Sequence, residues 1–326
     1  MMKICRALLD LRAVLVLASA CFLAPLAWSE TQPAFHTPPS QLDGLSQTEL
    51  NEFGMTLAHE AFATHARVKN PNGQIDGTPN MTDPNAVAAV KAMFDDDAMI
   101  QSARLNYGLT KSTYEPNHVD KFTITDMVIS RPSDEVLVAS FNVALPNRVD
   151  LGSGITFKGQ SLPRLVVLRW NNEAAQWKIF TSADFDSPQT FLCNKDSSYK
   201  PKKSQFDEAT IALARSLLDE LMDSTVTHTE ASVRTKGFQL VFGGGERQTA
   251  SGPIRVQLKS RAAMENVEAI QSGSLLAVRA DGTSTLTLDG GAVEKNLRPR
   301  IYTFQMEQDG RWRVAAIAIF ALTEKV

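Results

Sequence analysis

Few residues of this chain combine a reactive type with a setting that would make them act. Asp184 closes an apolar β-rich run, Trp177 to Phe185. Flanked by Phe180 and Phe185, a desolvated carboxylate there would have a raised pKa and could serve as a general base. The plainer alternative, a strand-end aspartate in solvent or capping the next turn, is the preferred one, because perturbed groups mark sites only statistically. His65 falls beside Leu57 and Ala61 on a helical wheel, whereas His59 falls on the opposite, exposed side. An imidazole titrates near neutral pH, so His65 could act as acid or base. A hydrogen-bonded core histidine is its more ordinary role. Tyr107, Tyr114 and His118 surround a loop containing Gly108 and could line the mouth of a binding site. Arg164 and Arg300 each precede a long β-rich run, where a guanidinium either holds a ligand carboxylate or, more plainly, forms a structural ion pair.

Several other chemistries are absent from the sequence. There is no Cys-x-x-Cys, no His-Glu-x-x-His, no Gly-x-Ser-x-Gly and no phosphate loop ending in Gly-Lys-Ser/Thr. No metal or cofactor is therefore expected. Gly243-Gly244-Gly245 has an oxyanion-loop look but no nucleophile elbow beside it, and reads as a turn.

The chain of 326 residues opens on a secretory leader: basic Lys3, Arg6 and Arg12, an apolar run from Ala13 to Leu26, and a small-x-small site at Ala27-Trp28-Ser29. The apolar run is shorter than the roughly 20 residues of a membrane span, so no integral membrane domain is expected. Lipidation at Cys21 is the lesser alternative, because Ala18 stands where such a site has Leu or a similar residue and apolar residues continue past the cysteine. Of 33 basic and 36 acidic residues, 30 and 35 remain after cleavage, a net charge near −5. That balance argues against a nucleic-acid partner. Only Cys193 would survive cleavage, so packing rather than a disulfide must hold the mature chain, and a periplasmic or secreted location is expected.

The elements that position the candidate residues come in two sets. Pro163-Arg164-Leu165, a polar turn at Asn171-Asn172-Glu173 and then Trp177-Lys178-Ile179 are matched by Pro299-Arg300-Ile301, a turn at Gln308-Asp309-Gly310 and Trp312-Arg313-Val314. The prolines are 136 apart, the tryptophans 135, and Phe185 and Phe320 also 135. Each block reads as a β-hairpin, and so long a period means duplicated domains rather than a solenoid. Helices precede each hairpin. Ser46-Gln47-Thr48-Glu49 is a capping box, opening a helix with Leu50, Phe53, Leu57, Ala61 and Val68 on one stripe. Asp83-Pro84 starts a second helix expected to reach Phe94. The second set opens at Ser204 or Asp207, with Ile211, Ala214, Leu217, Leu218 and Leu221 as its apolar face. Thr227-His228-Thr229-Glu230 is read as the cap of a further short helix.

Helices followed by a curled antiparallel sheet that ends in a hairpin with an inward tryptophan resemble the nuclear transport factor 2-like superfamily, which includes SnoaL-like and ketosteroid-isomerase-like proteins. The likeness is strongest to a secreted bacterial branch of unknown function. Its late strands carry a Pro-Arg-Leu element, Trp before an apolar pair, and an Ala-Asn-Phe close. Here that close is Ala183-Asp184-Phe185 in one set and Ala318-Ile319-Phe320 in the other. The first set also carries an insertion, residues 70–82. The resemblance implies an α+β fold of two tandem cone-shaped domains. It places Asp184 on the pocket side. The expected division is 1–29 leader, 30–45 extended leading segment, 46–186 first domain, 187–205 linker and 206–326 second domain. The expected function is binding of a small, mostly apolar molecule or a partner chain. The alternatives are an isomerase, dehydratase or hydrolase using Asp184 and His65, and a structural module whose domains dock as an intrachain pseudo-dimer or homo-oligomer.

Overall fold

The first capping signal forms as expected. Ser46 Oγ accepts from Glu49 N at 3.3 Å and Glu49 Oε2 accepts from Ser46 N at 2.8 Å, and helix α1 runs Gln47–His65. The computed structural model describes residues 33–65, 84–102, 107–114, 122–145, 148–149, 156–157, 160–185, 204–227, 229–243, 245–249, 263–287 and 293–320. The leader, Val68, the 70–82 insertion, Asp83, His118, Cys193 and most of the expected linker lie outside them.

Helix α2 (Pro84–Ala92) ends before Phe94, short of the expected boundary, because Met93 O accepts from Ile179 N at 2.8 Å and draws the chain into a sheet. That sheet holds β1 (Phe94–Ser102), β2 (Leu109–Thr110), β3 (Thr123–Ser133), β4 (Val136–Leu145), β7 (Gln160–Asn171) and β8 (Gln176–Asp184), in the order β2-β1-β8-β7-β4-β3. A separate two-stranded ribbon pairs β5 (Arg148–Val149) with β6 (Thr156–Phe157). Helix α3 (Glu208–Thr227) is capped by Asp207, whose Oδ2 accepts from Thr210 N at 2.8 Å. It continues through Thr227, and the expected further short helix is the 3-10 helix Glu230–Val233, which starts after Thr229 without a side-chain cap. The second sheet holds β9 (Arg234–Phe242), β10 (Arg247–Thr249), β11 (Ala263–Ser272), β12 (Leu275–Thr287), β13 (Val293–Met306) and β14 (Trp312–Ile319), in the order β10-β9-β14-β13-β12-β11. The fold is thus mixed α+β, with two six-stranded sheets that follow one strand order.

Strand alternation divides the side chains among three cores. On β4, Leu137, Ala139, Phe141 and Val143 join α1 and α2, while Val136 and Val138 enter a core shared between the sheets. On β12, Leu276, Val278 and Ala280 join α3, while Leu275 and Ala277 enter the same shared core. Burial on both faces explains why Val136 to Leu145 reads as a nearly unbroken apolar run. The layers are therefore helices, sheet, sheet, helix, within the compact unit that spans Ala34–Val326. Residues 34–42, expected to be extended, form two 3-10 turns that bury Ala34, Phe35 and Leu42, and Thr37 O accepts from the fully buried Trp177 Nε1 at 2.8 Å.

One matched pair of the two sets, Phe185 and Phe320, meets between the sheets, and other contacts cross there. Phe185 stacks on Phe320 with ring centroids 4.6 Å apart, and Thr303 Oγ1 donates to Thr181 Oγ1 at 3.0 Å. Gln239 Nε2 reaches from β9 to Val138 O at 2.8 Å and Ser130 Oγ at 2.8 Å. Arg169 bonds Asp95 Oδ2 at 2.5 Å within the first sheet and Ser272 Oγ at 2.8 Å in the second. A second likeness between the sets was not seen in the sequence. Asp126 (φ 55°) and Asn266 (φ 49°) occupy bulges of β3 and β11, where a left-handed backbone favours Asp or Asn. Asn142 Nδ2 donates to Asp126 Oδ2 at 2.7 Å, and Asn266 Nδ2 donates to Asp281 Oδ2 at 2.9 Å, so acid and amide exchange places.

Candidate functional site

With the opposite sides of both sheets given to the shared core, chemistry has to be sought on the helix-facing sides. In the first sheet, Arg164 and Asp184 are cross-strand partners on β7 and β8, with Phe141 on the other flank of Arg164. Arg164 Nη1 lies 3.5 Å from Asp184 Oδ1, and Ser182 Oγ donates to the same oxygen at 3.3 Å. The Asp184 side chain keeps 31% of its exposure and that of Arg164 12%. Arg164 thus forms a structural ion pair, its plainer role, and Asp184 is its partner rather than a solvent-facing or turn-capping strand end.

His65, the last residue of α1, is half-buried with its ring 6.2 Å from Phe62. Phe62 meets Phe141 edge-on at 6.4 Å. His65 and Asp184 therefore share one side of the first sheet, with Phe62, Phe141 and Arg164 as the steps between them. His59 is exposed as expected, its ring 5.7 Å from that of Phe122. Tyr114 packs on Phe94 with centroids 5.1 Å apart, and both Tyr114 and Tyr107 lie against the first helix-side core. The loop between them is anchored from the second sheet, because Glu268 Oε2 accepts from Gly108 N at 2.6 Å. Burial, with the Glu268 carboxylate nearby, pushes the Tyr107 phenol above its ordinary range and keeps it neutral. Among the described residues no group of three or more His, Cys, Asp or Glu side chains is placed to hold a metal, and no helix is long and apolar enough to cross a membrane.

The second sheet carries the same frame with different charges. Arg300 on β13 faces Ile319 on β14 and Ala280 on β12, where the first sheet has Arg164 between Asp184 and Phe141. Arg300 is 7% exposed. Its hydrogen bond is a long one, Nη1 to Tyr302 OH at 3.4 Å, and its Nε is buried without a partner. Two residues earlier, on the same side of β13, the buried Nε of half-buried Arg298 also lacks a partner. Arg298 pairs with Gly282, against whose backbone the Arg300 guanidinium lies: a Cβ there would meet Arg300 Nε at 2.3 Å. Arg298 and Gly282 escaped the sequence reading. The available signal was Ile319 standing where the first block has Asp184, which leaves Arg300 without the acid that Arg164 has.

No protein-family model matches the chain, and no curated protein matches it. Solved structures similar to part of it include the association domain of C. elegans CaMKII, with 13% identity and a TM-score of 0.27 over 35% of this chain and 94% of that one. A protein from Parabacteroides distasonis assigned as a ketosteroid isomerase gives 17% and 0.28 over 41% of this chain and 86% of its own. A nuclear transport factor 2-like superfamily protein from Salmonella enterica gives 9% and 0.27 over 36% and 94%. The partly similar structures thus include nuclear transport factor 2-like folds.

Proposed function

We propose that the chain is an exported pair of nuclear transport factor 2-like units, docked back to back, that binds a small, mostly apolar molecule without transforming it. The observation that carries this reading is the division of labour between sheet faces. Each sheet commits one face to the shared core, so a ligand would be held on the helix-facing sides, beside the cores that the helices complete there. The basic start, apolar run and small-residue site at the N-terminus support export. The paired hairpins and the common strand order support duplication. Catalysis is the weaker reading, because Asp184, the group best placed for proton transfer, is engaged by Arg164 and Ser182. The structural reading is favoured by Phe185 against Phe320, and it belongs to the sheet interface rather than to the helix-facing sides.

The test is to export the full chain from a bacterial host and examine the mature protein by native mass spectrometry. A mature N-terminus within a few residues of Glu30 and a small molecule released on denaturation are expected. An intact Met1 on exported protein would remove the export part. A protein that stays empty against a metabolite extract would remove ligand binding. Turnover of a bound compound, lost in Asp184→Asn, would replace binding with catalysis.

A further inference from the structure

Arginine cannot shed its proton inside a protein, so a buried guanidinium must find a counter-charge or bear a desolvation cost of several kcal/mol. Among the described residues the other arginine buried as deeply as Arg300 is Arg279 on β12, and although its Nε also lacks a partner, its charge is answered: it is ion-paired to Asp281 and donates to Asn266 O at 3.2 Å. Arg164, in the position matching Arg300, has Asp184. Among the described residues no carboxylate answers Arg300 or Arg298, and the place of the missing acid is filled by Ile319.

We propose that the helix-facing side of the second sheet binds a small organic carboxylate, with Arg300 as its charge partner, Arg298 as a second donor and Tyr302 OH as a further polar contact. This deepens the binding reading above and rests on it. Three features select the ligand. The planar fork of an arginine matches a carboxylate through two parallel N–H bonds. Gly282 fixes where that fork sits, since its missing Cβ is the space the guanidinium occupies. The neighbouring Ile319, Ala280, Tyr302 and Phe304 are apolar over most of their surface, so the ligand carries an apolar body behind its charge. Duplication followed by loss of the acid would thus turn a structural ion pair in the first unit into an anion receptor in the second.

The full mature chain, labelled with nitrogen-15, would be titrated with 4-phenylbutyrate and, separately, with the uncharged 4-phenylbutyramide. The Arg300 Nε–H resonance would be followed, assigned by its loss in Arg300→Lys. The acid is expected to shift that resonance saturably and to bind about tenfold or more tightly than the amide. Arg300→Gln is expected to remove this preference. Because Arg300 is buried and its loss could disturb folding, two further variants keep the charge. Gly282→Ala would push the guanidinium off its seat, and Ile319→Asp would supply the acid that the first unit has. Both are expected to weaken 4-phenylbutyrate by roughly tenfold while leaving the amide unchanged. Equal binding of acid and amide would overturn the carboxylate site and leave the apolar-ligand reading standing. An Arg300 resonance unmoved by the acid would overturn it as well. So would a tighter response to inorganic phosphate than to 4-phenylbutyrate, which would make the receptor one for inorganic anions.

Discussion

A carboxylate beside two phenylalanines looks reactive in a sequence, yet what Asp184 touches is an arginine. Its neighbours on the strand, Phe180 and Phe185, point into the shared core, whereas Asp184 points the other way, toward Arg164. Removing one member of a partly buried pair leaves the other uncompensated. Asp184→Asn is expected to lower stability by about 1–2 kcal/mol, a value reduced from that of a fully buried pair because the aspartate keeps a third of its exposure. The urea midpoint would measure it. The double variant Asp184→Asn, Arg164→Met should recover most of the loss, and an unchanged midpoint in the single variant would show that the pair is idle.

Helix ends and strand contacts carry their own consequences. Hydrogen bonds from the Ser46 side chain and backbone hold the Glu49 carboxyl below its ordinary range. The Thr210 backbone and hydroxyl do the same for Asp207 at the start of α3. A carboxyl depressed in the folded state stabilises it above the unfolded pKa, and the benefit is lost as pH falls through the folded value. The first turns of α1 and α3 should therefore lose amide protection on acidification, after correction for intrinsic exchange. Glu49→Gln should abolish that pH dependence in α1 alone. Ser46→Ala should cost about 1 kcal/mol at neutral pH. At one contact between the sheets the limit is backbone: a Cβ on Gly237 would meet Pro132 N at 2.8 Å, while Ser130 Oγ donates to Gly237 O at 2.6 Å. Gly237→Ala must part β3 from β9, at an expected cost of about 1–3 kcal/mol in thermal or urea unfolding. A neutral result would mean that the strands can separate freely.

For the molecule as a whole, the shared core makes the two sheets interdependent. The second unit places Val241, Leu275, Ala277, Ile301, Ala315, Ala316, Ala318 and Phe320 in that core. Each fully buried large apolar side chain contributes about 1.5–3 kcal/mol, so a unit expressed alone would expose a broad apolar face. Residues 206–326 by themselves are expected to dimerise through this face or to aggregate. Light scattering after size exclusion that found a stable monomer would show that the shared core is dispensable. Arg247 is a second tie, since its guanidinium reaches from β10 to Asn142 Oδ1 at 2.7 Å and to Asp126 O in the first sheet.

The sequence by itself determined the local and periodic parts of this protein. The capping box, the two hairpins, the apolar stripes of α1 and α3 and the 135–136-residue repeat rest on contacts between near neighbours or on spacing alone. It missed the turns of residues 34–42, because their few local hydrogen bonds are supported by Trp177 and a core assembled from distant strands. It misjudged the end of α2, because a strand more than eighty residues later captures Met93. It set Asp184 ahead of Arg300 and passed over Arg298, because charge balance is a property of cross-strand neighbours. An aspartate and an arginine twenty residues apart cancel only when β7 and β8 pair, and only that pairing shows that Ile319 leaves Arg300 unanswered.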